Sequence, residues 1–253
     1  MELPYDGFLR LLLTLGPLLF LQPWLHREIQ LLLILLTGRT DITVILFSIL
    51  FLPGVLLHEF SHFIAAKILR VQTGKFSVIP ADLGDGRLML GFVEVGLSDP
   101  LRESLIGAAP LLAGSGFVAF AGLEKLGFDR LWQAFSGGGM AAFLDQLVAF
   151  PQQTDFWLWV YLTLAVSSTM MPSQSDRRAW LPVIVTVLSV AAAAFWSGAG
   201  SWLGQFVWPW INQAMGAAAG IFGVAGALHI GLLLPVGLIR RGVGKAAGRR
   251  LTP

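Results

Sequence analysis

The chain of 253 residues is 55% hydrophobic and only 13% charged, with a net charge of +2 and no cysteine. Soluble domains carry about 25% charged residues, so this composition argues against a soluble globular protein, and the small net charge gives no indication of nucleic-acid binding. Without cysteine, the chain has no disulfides, thiolate ligands or thiol nucleophile. We predict an all-α polytopic membrane protein in which residues 1–253 form a single membrane-embedded domain.

Six apolar segments approach or exceed the roughly 20 residues that span a bilayer. They cover about 8–36, 42–69, 101–126, 156–171, 179–196 and 216–239. They predict about six transmembrane helices. The first contains Pro17, Pro23 and a polar patch at 26–28, so it is either one kinked helix or a span followed by an interfacial piece.

The segments between the apolar runs have distinct patterns. In residues 75–97, β-forming residues flank Gly84-Asp85-Gly86, which predicts a small β-hairpin at the membrane surface. Residues 127–155 are Gly-rich and predict a loop with an amphipathic helix near 139–150. The aromatic stretch 201–212 is typical of a membrane interface, where Trp is favoured.

Lys and Arg predict which ends of the spans face the cytoplasm. They cluster in the tail 240–253, at Arg177 with Arg178, and at Lys67 with Arg70 and Lys75. Six alternating spans bring all three clusters to one side and put the loop 127–155 on the other. We therefore expect a protein of the bacterial cytoplasmic (inner) membrane, with the hairpin and both termini cytoplasmic.

A polar cluster interrupts the second apolar segment. His58 and His62 are four residues apart, so a helix places them on one face, one turn from each other. Two imidazoles in this arrangement can bind one Zn²⁺, and Glu59 beside them is a candidate general base. The alternative is a polar helix face with satisfied hydrogen bonds, but ionisable residues inside a span are costly and usually functional.

A catalytic zinc needs a third protein ligand and an open position for water. Asp176 is the preferred candidate, because it lies between the fourth and fifth segments at the same predicted face as the His58 cluster. Its alternative roles are a helix N-cap or a partner for a neighbouring arginine. His229, in the last segment, is the rival ligand, or else a buried histidine bonded to a backbone carbonyl.

Three motifs resemble the site-2 protease family of intramembrane zinc metalloproteases. They are GVLLHEFSHFIAAK at 54–67, GAAPLLAG at 107–114 and MMPSQSD at 170–176. The resemblance implies that His58, His62 and Asp176 are zinc ligands and that Glu59 is the base. Three features depart from the family pattern: no Asn follows Pro110, Arg177 replaces the Gly that usually follows the aspartate, and the Asn that often precedes the proline of the third motif is missing.

The predicted function is zinc-dependent hydrolysis of peptide bonds in membrane-spanning substrates. The departures motivate an alternative, a protease-like structural or accessory subunit of a membrane complex. A transporter is a third possibility, but the sequence lacks the repeated halves that many transporters have. The expected partners are a membrane-protein substrate or partner subunit and the lipid bilayer, with no nucleic acid.

Overall fold

The structure is a computed structural model that describes residues 6–78, 81–82, 88–137, 139–152 and 154–246. Its long helices are α1 (Asp6–Thr37), α2 (Thr40–Ile68), α3 (Pro100–Phe120), α6 (Phe156–Thr169), α7 (Trp180–Ala194) and α9 (Trp208–Ala246). The shorter helices are α4 (Phe128–Gly137), α5 (Gly139–Ala149) and α8 (Gly200–Trp202). Four strands lie between α2 and α3: β1 (Thr73–Ser77), β2 (Ala81–Asp82), β3 (Leu88–Met89) and β4 (Phe92–Val95).

The first apolar segment forms one continuous helix. α1 runs through both Pro17 and Pro23, although each proline removes a backbone donor from the helix. This outcome selects the long helix over the alternative of a span followed by an interfacial piece. The turn to α2 is short, so the two helices are antiparallel neighbours, and Thr37 and Thr43 join their adjacent ends through a hydroxyl contact of 3.1 Å.

The strands confirm the predicted β-hairpin. β1 pairs antiparallel with β4, with Ser77 opposite Phe92 and Thr73 opposite Val95. β2 pairs antiparallel with β3 inside it. The predicted turn at Gly84-Asp85-Gly86 lies outside the described residues. The predicted loop 127–155 contains the two short helices α4 and α5, of which α5 occupies the position of the expected amphipathic helix.

The prediction of six spans is not confirmed. In the described part of the chain, four helical stretches are long and apolar enough to cross a membrane: Asp6–Thr37, Thr40–Ile68, Pro100–Lys125 and Trp180–Ala246. α6 is apolar but has only 14 residues. The last stretch contains α7, α8 and α9, and it is broken at Gly198, whose φ of 92° is not helical.

α1 and α9 pack in parallel along most of their length. Near the start of both helices, the backbone N–H of Gly7 donates to the Asn212 side chain at 2.9 Å. Toward their ends, the Arg240 guanidinium donates to Glu28 at 2.5 Å, and both side chains are nearly buried. Between these contacts, two glycines of α9 face α1: a Cβ added at Gly216 would lie 3.9 Å from Cα of Gly7, and one at Gly223 would lie 3.7 Å from a methyl group of Thr14.

The parallel packing places Asp6 and Ala246 at opposite ends of the pair. Because α1 and α2 are antiparallel, Lys67 near the end of α2 lies at the end where α1 begins, whereas Arg240 lies toward the other end. The prediction that both termini are cytoplasmic stays a prediction.

The parallel packing can be tested with single cysteines, because the chain has none of its own. Gln72→Cys and Ala246→Cys change two exposed positions at the two ends. We expect a membrane-impermeant maleimide to label only one of them in sealed, uniformly oriented vesicles, and both after detergent is added. Labelling of both from the same side would contradict the packing and restore the six-span arrangement.

Candidate metal centre

The HEFSH segment lies in the last third of α2, inside a continuous helix. The i, i+4 spacing stacks His58 and His62 one turn apart, with their ring centroids 4.9 Å apart. Their Nε2 atoms approach to 3.2 Å. Along the helix axis, His58 lies about 15 Å and His62 about 9 Å from the end of α2 at Ile68.

Backbone carbonyls of two neighbouring helices fix both rings. Nδ1 of His58 lies 2.6 Å from the Thr169 carbonyl oxygen at the end of α6. Nδ1 of His62 lies 2.8 Å from the Ile106 carbonyl oxygen in α3. A carbonyl only accepts hydrogen bonds, so each Nδ1 carries the proton and donates it. Each neutral ring then directs the lone pair of Nε2 toward the other, the orientation that metal-ligating histidines use.

Asp176 completes the group from the segment that follows α6. Its Oδ2 lies 3.6 Å from Nε2 of His58, and its Oδ1 lies 3.3 Å from Nε2 of His62. The backbone N–H of Ser173 donates to Oδ2 at 2.7 Å and fixes the carboxylate. This hydrogen bond favours the ionised carboxylate, which is the form that binds a metal ion.

A glycine in α3 permits the close approach of the Asp176 segment. A Cβ added at Gly107 would lie only 2.0 Å from the backbone oxygen of Asp176. Any larger residue there would push this segment away from α3. Since Ile106, the residue before Gly107, holds the His62 ring, one turn of α3 positions both a histidine and the aspartate.

The three side chains lie close enough to share one metal ion. Bonds of about 2.0–2.1 Å at tetrahedral angles separate ligand atoms by about 3.3 Å, and the two Nε2 atoms are 3.2 Å apart. Asp176 reaches the two nitrogens with different oxygens, Oδ2 at 3.6 Å and Oδ1 at 3.3 Å, and one ligand atom from each residue lies within 4.8 Å of the others. Two facing nitrogen lone pairs repel each other unless a cation lies between them. A proton between the nitrogens can form one hydrogen bond, whereas a divalent cation can be coordinated by both nitrogens and the carboxylate together. Among the described residues, His58, His62 and Asp176 can thus hold a metal ion.

Glu59 lies next to the three ligands and is almost fully buried, with 9% of its surface exposed. It borders the same cavity as His58, His62 and Asp176. The hairpin approaches it closely, since a Cβ added at Gly91 would lie 3.0 Å from Cγ of Glu59 and 2.9 Å from a methyl group of Val55. The carboxylate is therefore held between α2 and the hairpin, facing the cavity.

The cavity has a volume of about 900 Å³, at the upper end of the range typical of ligand sites. Strand β4 forms part of its wall through Phe92, Val93 and Val95. A polar rim comes from Glu103 and Arg178, whose side chains meet at 3.4 Å. The cavity is thus bordered on one side by a β-strand and at its rim by an ion pair.

The rival ligand His229 lies in a different contact network. Its Nδ1 donates to the Ala225 carbonyl oxygen at 2.7 Å, and its Nε2 lies 3.0 Å from the Ser168 hydroxyl. The alternative of a buried histidine bonded to a carbonyl is therefore correct. The sequence did not predict the role of the Ile106 and Thr169 carbonyls, because every residue has a backbone oxygen and none is marked by its side chain. His26, which also borders the cavity, stood out in the sequence only as part of a polar patch.

Comparisons with known proteins identify no relative. No family model matches the chain, and neither the curated proteins nor the solved structures include a significant match. The resemblance to the site-2 protease family thus rests on the three motifs alone.

The geometry predicts about one zinc ion per chain in protein purified in detergent without chelator. His62→Ala should lower the zinc affinity by more than about 100-fold, since it removes a ligand together with its carbonyl anchor. His229→Ala, which changes a histidine outside the group, should keep the zinc. Elemental mass spectrometry on folded, monodisperse protein measures all three. Zinc near zero in the wild type would contradict the metal centre.

The close approach at Gly107 gives a second prediction. Gly107→Ala should displace the Asp176 segment and weaken zinc binding by about 10- to 100-fold, the range that changes around metal ligands produce. Gly116→Ala is the matched control, because it lies in the same helix with no heavy atom within 4 Å of the added Cβ. Competition with a fluorescent zinc chelator gives the affinities. Equal zinc affinity in the two variants would show that Gly107 does not position the aspartate.

Proposed function

We propose that the protein is an intramembrane zinc metalloprotease that hydrolyses peptide bonds of membrane-spanning substrates. The observation that carries the proposal is the group of His58, His62 and Asp176, whose ligand atoms lie within 4.8 Å of one another. Glu59 beside this group supplies the acid–base group that peptide hydrolysis requires. Zinc is the proposed metal, because two imidazoles and one carboxylate, with a position left for water, are typical of catalytic zinc.

When bound, zinc lowers the pKa of a coordinated water and polarises the scissile carbonyl. Glu59 accepts a proton from the attacking water and returns it to the leaving amine. A substrate helix hides its carbonyls in intrahelical hydrogen bonds, so it must unwind locally before hydrolysis. Strand β4 lines the cavity and can pair with the unwound segment through its backbone.

We propose a membrane arrangement with five crossings, by α1, α2, α3, α6 and α9. The stretch 180–207 then turns back near Gly198, because α9 begins at the same end as α1. The mouth of the site faces the cytoplasm, since Lys67, Arg70, Lys75, Arg102, Arg177 and Arg178 flank it. The basic C-terminal tail lies on the opposite side of the membrane in this arrangement. The proposed orientation therefore follows the basic residues around the site and not those of the tail.

Glu59→Gln tests the enzymatic proposal. The variant should keep zinc, because Glu59 is not a ligand, while cleavage of fluorescently labelled casein should fall by at least about 100-fold, since a general base contributes that much or more. Glu124→Gln makes the same chemical change at an exposed position away from the cavity and should cleave at the wild-type rate. Cleavage by Glu59→Gln at the wild-type rate would show that Glu59 is not the base.

The same assay separates the enzyme from the accessory subunit. A wild-type protein that holds zinc yet cleaves neither casein nor any membrane protein reconstituted with it favours the accessory subunit. The departures from the family pattern near Pro110 and after Asp176 are the features that such a subunit would explain.

A further inference from the structure

Two short helices, α4 and α5, expose apolar side chains along one face each. They follow the α3 stretch and precede α6, and neither contains a buried residue among those described. The apolar residues of α4 recur at positions i, i+3, i+4 and i+7, so they share one helix face, and the polar residues share the other. The apolar face consists of Phe128, Leu131, Trp132 and Phe135, and the polar face of Asp129, Arg130, Gln133 and Ser136.

α5 has a similar apolar face, with residues at positions i, i+4, i+7 and i+8. This face consists of Met140, Leu144, Leu147 and Val148. Trp132 of α4 is 67% exposed and Val148 of α5 is 68% exposed. The rings of Phe135 and Phe143 meet at 5.5 Å, so the two helices contact each other beside these faces. The α4–α5 pair therefore presents large exposed apolar side chains on two neighbouring helices, and such a patch indicates an interaction surface.

The α3 stretch leads to this pair from the metal centre. Residues Pro100–Lys125 are apolar and long enough to cross a membrane, and near their start the Ile106 carbonyl holds the His62 ring. From Ile106 to Lys125 the helix rises about 28 Å, close to the thickness of a hydrocarbon core. The Lys125 ammonium lies 5.4 Å from the ring centroid of Trp159, and both residue types are typical of a membrane interface. The α4–α5 pair thus begins at the membrane face remote from the metal centre.

Aromatic contacts fix the other end of the pair to α6. The Phe150 ring, directly after α5, lies 5.1 Å from the ring of Phe128 at the start of α4. It also lies 5.1 Å from the ring of Phe156 at the start of α6. Both ends of the pair are therefore held where the α3 stretch ends and α6 begins. The two helices have 10 and 11 residues and are only about 15–17 Å long, so their exposed apolar faces stay within that distance of the membrane surface.

The bilayer is thus the apolar partner within reach of this surface. α6 follows the pair and has 14 residues, about 21 Å in length, which is less than the roughly 30 Å of a hydrocarbon core. In the proposed arrangement with five crossings, the chain before Phe156 therefore has to enter the apolar layer for α6 to cross it. The charged residues Asp129, Arg130 and Asp145 leave the pair nearly neutral, so apolar contact rather than attraction to anionic headgroups holds it. We propose that α4 and α5 lie in the membrane interface remote from the metal centre, with their apolar faces in contact with lipid at the boundary between headgroups and acyl chains.

Single cysteines that carry a fluorescent label test this contact, because the chain has no cysteine of its own. Trp132→Cys and Leu144→Cys place the label on the apolar faces, and Gln133→Cys and Asp145→Cys place it on exposed neighbouring positions outside them. The full-length protein is reconstituted in vesicles of neutral phosphatidylcholine. We expect nitroxide-labelled lipid to quench the labels of the apolar faces at least about twofold more than the other two, since an interfacial helix buries its apolar face about 5–10 Å into the boundary region. Iodide in the water should quench the other two labels more strongly.

Two controls separate lipid from other partners of the apolar faces. Phosphatidylglycerol added to the vesicles should leave the quenching by nitroxide lipid unchanged, because the α4–α5 pair is nearly neutral. Dilution of the protein into more lipid should also leave it unchanged, because a contact with lipid does not depend on a second chain. Each labelled variant is compared only when it elutes as monodisperse protein before reconstitution.

Three results would overturn the inference. Equal quenching of all four labels by iodide would place both faces of the pair in water. Labels on the apolar faces that neither nitroxide lipid nor iodide quenches would show that a protein surface covers them. Quenching by nitroxide lipid only in the presence of phosphatidylglycerol would show an electrostatic contact instead of an apolar one. None of these readouts uses zinc or cleavage, so the inference goes beyond the proposed activity and is tested separately from it.

Discussion

Two backbone carbonyls, of Ile106 and Thr169, set the geometry on which the site depends. Each carbonyl accepts a hydrogen bond from Nδ1 of one histidine. The Nε2 atoms of the two rings then face each other 3.2 Å apart. Because one carbonyl belongs to α3 and the other to the end of α6, the imidazoles are oriented only when both helices pack on α2. The metal centre is therefore a product of three-helix packing rather than of the HEFSH segment alone.

Close backbone approach makes that packing possible. A Cβ at Gly54 of α2 would lie 2.2 Å from the Ala165 carbonyl oxygen of α6, and one at Gly107 would lie 2.0 Å from the Asp176 oxygen. Small residues let membrane helices approach in this way, where lipid leaves little hydrophobic force between them. The resulting contacts hold the ends of α3 and α6 at the depth of the histidines.

The sequence predicted the parts of the site that depend on local spacing. His58 and His62 share a helix face whatever surrounds them. Asp176 was predicted as the third ligand because the predicted alternation of the spans put it at the same face as the two histidines. The direction of α9 did not follow, because basic residues lie both around the site and in the tail, and charge alone favoured an arrangement with all of them on one side. The contacts of Gly7 with Asn212 and of Glu28 with Arg240, each joining residues more than 200 positions apart, carry no local signal.

The length of α6 explains how an aspartate outside any helix can meet histidines within a membrane helix. Its 14 residues span about 21 Å, less than the roughly 30 Å of the hydrocarbon core. A helix this short does not by itself reach across a bilayer, and its end at Thr169 meets His58 of α2. Irregular backbone at membrane depth is tolerated only where protein covers it or water reaches it. Here the backbone N–H of Ser173 donates to Asp176, and both residues line the cavity. The early end of α6 thus places an irregular segment, with its polar groups, at the point where His58, His62 and Asp176 meet.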